Sequence, residues 1–238
     1  MEFVKVILFD VDGTLLDAGD LSRRGFLAAL EKHMGPTADI GRYSLSGKTD
    51  PQIMKELLLR NGLPPDQIDH VASKALRSYR SYCLSHLKKA QVRPLAGARE
   101  LIERLSAAKP SRFVLGILTG NLEALVAPKL EAAGIPMASF ALGVFGSDDA
   151  DRNNLPAIAV ERVERCLGIP LLPHEVAIVG DTPLDVACAH HFGAVSIAVA
   201  SGGYTHAQLR ATGPTYTLHS LLAWSEAAFT ARRRPFRQ

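Results

Sequence analysis

Two aspartates one residue apart, Asp10 and Asp12, follow the apolar run Val6-Ile7-Leu8-Phe9 and precede a glycine, Gly13. A carboxylate at the end of a buried strand can attack a phosphoryl group and become an aspartyl phosphate, and Asp10 stands where that attack would start. The obstacle is charge. A carboxylate about 4 Å from a phosphate dianion is opposed by roughly 8 kcal/mol at an effective dielectric of 20. Other polar clusters in the chain could offset it. Asp181, with Asp10, offers the hard oxygen donors that Mg²⁺ prefers. Arg152 offers a planar guanidinium fork that suits a phosphate. Thr119 and the backbone amides of Gly120 and Asn121, just ahead of a helical stretch, offer hydrogen bonds to the same oxygens. Asp12 points to a different place from Asp10, where it could protonate a leaving oxygen and afterwards deprotonate water. Each cluster alone also has a plain reading: Asp10/Asp12 as an acidic strand-to-turn junction, Asp181 as a helix cap, Asp185 as a surface carboxylate, Arg152 as a solvated side chain. Their joint occurrence at four strand ends is what argues for chemistry. An EF-hand is excluded, because Thr14 and Leu15 occupy positions that need a ligand and a glycine.

The elements that must carry these residues are legible as periodicities. Apolar runs at Val6–Phe9, Phe113–Leu118, Phe140–Phe145, Val176–Val179 and Val195–Val199 read as buried strands. Helical patterns of roughly ten residues separate the later ones: Ala98–Ala108, Leu122–Ala133, Leu155–Leu167 and Leu184–Phe192. A final helix-strand-helix unit is expected from about Tyr204 to Phe229. Strands alternating with helices of this length predict an α/β fold with a doubly wound parallel sheet and right-handed crossovers. In such a sheet the carboxyl ends of the strands share one edge, where ligands bind.

Between Leu16 and about Gln91 no strand-like run occurs. Helices are expected at Leu21–Met34, stopped by Gly35-Pro36, at a segment capped by Thr49 with Pro51 in its first turn, and from about Asp66 to Leu87. The expected organisation is therefore a Rossmann-like core from residues 1–16 and 92–238 with an inserted helical cap at 17–91.

Composition narrows the class. Of 238 residues, 47% are hydrophobic and 21% charged, ordinary values for a globular protein with a sizeable core. The net charge is +3, but the tail Arg232-Arg233-Arg234-Pro235-Phe236-Arg237 supplies four positive charges, and the remainder carries −1. Basicity is a property of the tail, so no nucleic-acid-binding face is expected. No apolar stretch reaches the roughly 18 residues of a membrane span, and the opening run is too short for a signal peptide, so a cytoplasmic protein without membrane contact is expected. Three widely spaced cysteines, Cys83, Cys166 and Cys188, fit neither a disulfide framework nor a zinc site and read as buried thiols. The adjacent His190 and His191 diverge by about 100° on a helix and are not expected to share a ligand.

Three segments together resemble a known family. Phe9-Asp10-Val11-Asp12-Gly13-Thr14-Leu15, Leu118-Thr119-Gly120-Asn121 and Val179-Gly180-Asp181-Thr182-Pro183-Leu184-Asp185 look like the first, second and fourth motifs of the haloacid dehalogenase-like hydrolase superfamily. The placement of the insert resembles that of the helical-cap branch, which includes phosphoglycolate phosphatases and β-phosphoglucomutases. The resemblance implies that Asp10 is the nucleophile and a Mg²⁺ ligand. It implies that Asp12 is the acid/base, with its backbone carbonyl on the metal, and that Thr119 binds phosphate. It also implies that Asp181 is a Mg²⁺ ligand and that Asp185 is an outer or water-mediated partner. The third motif departs from the pattern. The family usually has a lysine there, whereas no lysine lies between Lys129 and Asp181, and Arg152 in Asp151-Arg152-Asn153-Asn154-Leu155-Pro156 is assigned the cationic role.

Asp12 discriminates among the branches. The dehalogenases of this family, whose halide leaving group needs no proton, lack an acid at that position. Phosphonoacetaldehyde hydrolases also lack it and use a cap lysine as a Schiff base; Lys48 lies near where that lysine would be. The loop Gly47-Lys48-Thr49-Asp50 resembles the cap specificity loop, so Lys48 and Thr49 are expected to face Asp10. The expected activity is Mg²⁺-dependent hydrolysis of a small phosphorylated metabolite by a monomer or weak dimer. The alternatives are a phosphomutase, a phosphonoacetaldehyde hydrolase and a non-catalytic binding protein.

Overall fold

A computed structural model describes residues 5–88, 92–107, 113–168 and 170–225. Six strands form one sheet in the order β5-β4-β1-β6-β7-β8, with every neighbouring pair parallel. These are β1 (Val6–Phe9), β4 (Val114–Thr119), β5 (Leu142–Phe145), β6 (Val176–Gly180), β7 (Val195–Val199) and β8 (Tyr216–Leu218). Strand β1 is central because all four of its side chains are apolar and buried. Alternation then divides them: Ile7 and Phe9 join one apolar cluster, Val6 and Leu8 another. Helices α4 (Ala98–Ala107) and α5 (Glu123–Ala132) cover the first face through Leu101, Ile102, Leu105, Leu125, Val126 and Leu130. Helices α6 (Leu155–Leu167) and α7 (Pro183–Phe192) cover the second through Leu155, Ala159, Val163, Cys188 and Ala189. The doubly wound parallel sheet is thus present as the alternation of elements required.

Helices α1 (Leu21–Met34), α2 (Asp50–Arg60) and α3 (Ile68–His86) lie between β1 and the rest of the core in the chain. Phe26 of α1 stacks on Tyr79 of α3 at 4.0 Å between ring centroids. Met54, Leu57 and Leu58 of α2 are fully buried. Thr49 caps α2 as expected, its hydroxyl accepting from the Gln52 amide at 3.2 Å. The helix expected from about Asp66 starts at Ile68, after a 3-10 turn, Pro65–Gln67, that leads into it.

One element contradicts the strand-free reading of this block. Leu16–Asp17 (β2) pairs antiparallel with Arg93–Pro94 (β3), and Asp17 is bridged to Arg93 at 2.7 Å. Two-residue strands carry no periodicity, so pattern reading cannot find them. Of the last predicted unit, α8 (His206–Ala211) and β8 are present, and the segment towards Phe229 and the arginine-rich tail lie outside the described residues. Cys83 and Cys188 are buried, and burial pushes both thiols up to about 12. Cys166 is exposed, contrary to expectation, because it sits on the outward side of α6. His190 and His191 are both exposed. No helix among the described residues is long and apolar enough to cross a membrane.

Candidate active site

Asp10, Thr119 and Asp181 leave the carboxyl ends of three adjacent strands, β1, β4 and β6, and so arrive at one edge. A tight turn follows β1, in which the Thr14 and Leu15 amides donate to the Val11 carbonyl. Gly13 holds that turn at φ +83°, and a Cβ there would strike the Asp181 carboxylate. Glycine is required twice over, once by conformation and once by space. Thr14 donates its hydroxyl to Asp181 at 3.2 Å. Thr182, not Asp181, caps α7, in a reciprocal box with Asp185. Asp181 is therefore free of capping duty.

Asp10, Asp181 and Asp185 are all buried, and each offers an oxygen within 4.8 Å of the others. Arg152, in a short turn before α6, is buried against them: its Nη2 lies 3.3 Å from Asp10 Oδ1 and also contacts Asp185 Oδ1. The structure thus brings the expected cation to Asp10, and places Asp185 against Arg152 as its second anchor. Burial raises the Asp10 carboxyl to about 6, opposed chiefly by Arg152 and reinforced by Asp185 and Asp12, while a hydrogen bond from Thr119 lowers it. Burial, with Asp185 and Asp10 nearby, raises Asp181 to about 8. Burial also opposes the Arg152 charge, but the facing carboxylates outweigh it and hold the guanidinium protonated.

A cavity of about 640 Å³ opens over these groups. Asp10, Asp12, Thr119 and Arg152 line it from the sheet, and Arg23, Ser46 and Lys48 from the helical side. Gly47 packs on Thr182 and Leu184, and a Cβ on Gly120 would run into the Lys48 carbonyl. The loop before α2 is joined to the sheet edge by hydrogen bonds from the Asp50 amide to the Gly120 carbonyl at 2.7 Å and from the Thr49 hydroxyl to the Ala150 carbonyl at 2.6 Å. Thr49 is fully buried in that contact and does not line the cavity. Lys48 does, but its ammonium is bound by Glu56 at 2.6 Å and by the Tyr43 hydroxyl at 2.9 Å.

Two residues of this region were not singled out from the sequence. Lys129 of α5 has no exposed surface, and its ammonium donates to both oxygens of Asp12, at 3.0 and 2.8 Å, and to Asn121 Oδ1 at 2.7 Å. Burial works against this charge, but Asp12 and Asp50 outweigh it and hold the ammonium protonated. Asn121 sends its side-chain amide to Asp12 at 2.7 Å and to Thr119 Oγ1 at 2.8 Å, so of its groups only the backbone remains for a phosphate. Asp50 is buried, accepts from the Leu122 amide at 2.8 Å, and is raised to about 7 by burial, against the pull of Lys129. The signal for Lys129 was available: it sits three and four residues from Val126 and Leu125, inside the apolar stripe of its helix.

With this geometry in view, comparison with known proteins is decisive. The family model described as haloacid dehalogenase-like hydrolase matches residues 7–199. The chain belongs to the haloacid dehalogenase-like hydrolase family. Among curated members, a phosphoglycolate phosphatase of Chromobacterium violaceum is 27% identical over 93% of this chain and 95% of its own length. The pyrophosphatase PpaX of Anoxybacillus flavithermus is 25% identical over 83% and 84%. Among solved structures, CbbY from Rhodobacter sphaeroides in complex with phosphate superposes with a TM-score of 0.71 at 20% identity, covering 96% of this chain and all of that one. A hydrolase from Pseudomonas syringae gives 0.70 at 22% identity, covering 92% and 94%. These structures share the family's fold with this hydrolase.

Proposed function

We propose that the chain is a Mg²⁺-dependent phosphomonoesterase acting on a small phosphorylated metabolite. The observation that carries the reading is the setting of Asp10: a buried carboxylate lining an open cavity, with a guanidinium and two further carboxylates gathered against it. Residues 1–16 and 92–238 form the catalytic core in this reading, and 17–91 the cap over it.

The donor set fits a hard divalent cation. Asp185 is already committed to Arg152 and Thr182, which leaves Asp10 and Asp181 as carboxylate donors, and the resemblance adds the Asp12 backbone carbonyl. Burial first, and the neighbouring carboxylates after it, raise the Asp10 and Asp181 carboxyls, and a cation between them would favour their charged forms. When bound, Mg²⁺ supplies positive charge against the phosphate and its ester oxygens.

The chain's own residues then divide the work. Arg152, Thr119 and the amides of Gly120 and Asn121 hold the phosphoryl group over Asp10. An Asp10 oxygen bonds to phosphorus as the ester P–O bond breaks, and Asp12 protonates the departing alcohol. Asp12 next takes a proton from water, whose oxygen attacks the same phosphorus, and phosphate leaves with Asp10 restored. The phosphoglycolate phosphatase and pyrophosphatase names of the relatives support phosphate chemistry. An imine-forming role for Lys48 is disfavoured, because Glu56 and Tyr43 hold its ammonium protonated. Three free cysteines suit a reducing compartment, and we assign the activity to the cytoplasm.

The test is phosphate release across sugar phosphates, phosphoglycolate, nucleotides and an aryl phosphate, with and without Mg²⁺. Asp10→Asn should abolish turnover. Retained Mg²⁺-dependent release in that variant would remove Asp10 as nucleophile, and conversion of a sugar phosphate to its isomer in place of release would mark a mutase.

A further inference from the structure

A lysine with no exposed surface is costly: an ammonium taken out of water loses several kcal/mol of solvation, and a leucine or methionine would fill the same helical stripe without that penalty. Lys129 meets the cost by using all three of its donors, two on Asp12 and one on Asn121. Asn121 closes the arrangement, since its amide donates to the same Asp12 oxygen that Lys129 contacts at 2.8 Å. Asp12 is thereby gripped from one side by a lysine and an asparagine, while its side chain keeps 37% of its surface and lines the cavity.

We propose that Lys129, with Asn121, is a positioning residue that fixes the Asp12 side chain in the orientation from which its acid form protonates the leaving oxygen. A carboxylate on a two-torsion side chain beside open water has several rotamers available, and proton transfer needs the one within hydrogen-bond reach of the departing oxygen. Lys129 lies beneath Asp12 and lines no part of the cavity, so it acts through Asp12 and touches neither phosphate nor leaving group. The proposal rests on the reading of Asp12 as general acid.

The test exploits the chemistry of the leaving group. The kcat/KM value covers steps only through departure of the alcohol, so the later water-activating role of Asp12 does not enter it. A nitrophenolate leaves without help, whereas an alkoxide needs a proton. Lys129→Met, compared with wild type on p-nitrophenyl phosphate and on an alkyl phosphate such as glycerol phosphate, should lose about 100-fold in kcat/KM on the alkyl ester and under about fivefold on the aryl ester, the span expected for general acid catalysis. Lys129→Gln, which keeps one donor, should fall between Met and wild type in the alkyl-to-aryl ratio. It carries the test if thermal melting shows the methionine variant unfolded. Equal losses on both esters would reduce Lys129 to a structural role and overturn the proposal, as would an unchanged or improved alkyl rate. Asp12→Asn separates the two readings. If that variant discriminates between the esters and the lysine variants do not, the positioning role alone falls. If Asp12→Asn treats both esters alike, the general-acid reading falls and takes the positioning role with it.

Discussion

Removing the Arg152 charge puts the electrostatics of the site to their hardest test. The guanidinium lies 3.3 Å from Asp10, an attraction of about 5 kcal/mol at an effective dielectric of 20. It also neutralises Asp185, which would otherwise face Asp10 and Asp181 uncompensated. Arg152→Met takes the guanidinium away from three buried carboxylates, and breaking a buried pair in this way costs about 3–5 kcal/mol. At about 2–4 °C per kcal/mol for a chain of this size, melting should fall by roughly 6–20 °C. Removal of a charged donor aimed at the transferring group should also lower kcat/KM by about 10²–10³-fold. Arg152→Lys keeps the charge but loses the fork, and should recover part of both quantities. The sign of the pH effect follows from linkage. Without Arg152 the already raised Asp10 carboxyl rises further, so the variant's deficit is smallest below about 6, where Asp10 is protonated in both folded proteins, and grows as pH rises above it. Urea denaturation at pH 4.5 and pH 8, with phosphate release at pH 8, reads all of this. An Arg152→Met protein within about threefold of wild-type turnover and about 1 kcal/mol of its stability would refute the argument.

Other perturbations probe the contact between α2 and the sheet edge. The Asp50 carboxyl is raised from 3.8 to about 7, so it favours folding below the lower value and loses that contribution as pH rises through the interval. Asp50→Asn should therefore gain stability relative to wild type between pH 4 and 7 in parallel denaturation curves, and parallel pH profiles for the two proteins would contradict the assignment. Gly120→Ala would drive a methyl into the Lys48 carbonyl and the Thr49 Cα; kcat/KM should drop at least about tenfold while the isolated sheet residues keep their amide-exchange protection, and normal kinetics would show that the loop yields.

What the sequence disclosed follows from how each residue is held. Asp10, Thr119 and Asp181 end apolar runs, so the parallel sheet that buries those runs also dictates that the three meet. Arg152 could be placed by its position between a strand and a helix, although its division between Asp10 and Asp185 could not. The apolar stripe around Lys129 marks it as buried, but its partner Asp12 is far away along the chain, and local periodicity says nothing about which groups meet across a fold. Asp50 was hidden for a different reason. An acid at the first position of a helix is what the helix dipole favours anyway, so its bond to the Leu122 amide left no separate mark. The clasp between Leu16–Asp17 and Arg93–Pro94 is too short for any pattern to reveal.

That clasp has a bearing on how such a protein can change over generations. Because the chain departs from and returns to the sheet side by side, the block that begins after Asp17 and ends before Arg93 has its two covalent ends held together at one neck. A loop closed this way can lengthen, shorten or be exchanged at small entropic expense, since the separation of its ends stays the same whatever hangs from them. The helical block can therefore drift as a cassette, while the strand ends carrying Asp10, Thr119 and Asp181 inherit their geometry unchanged.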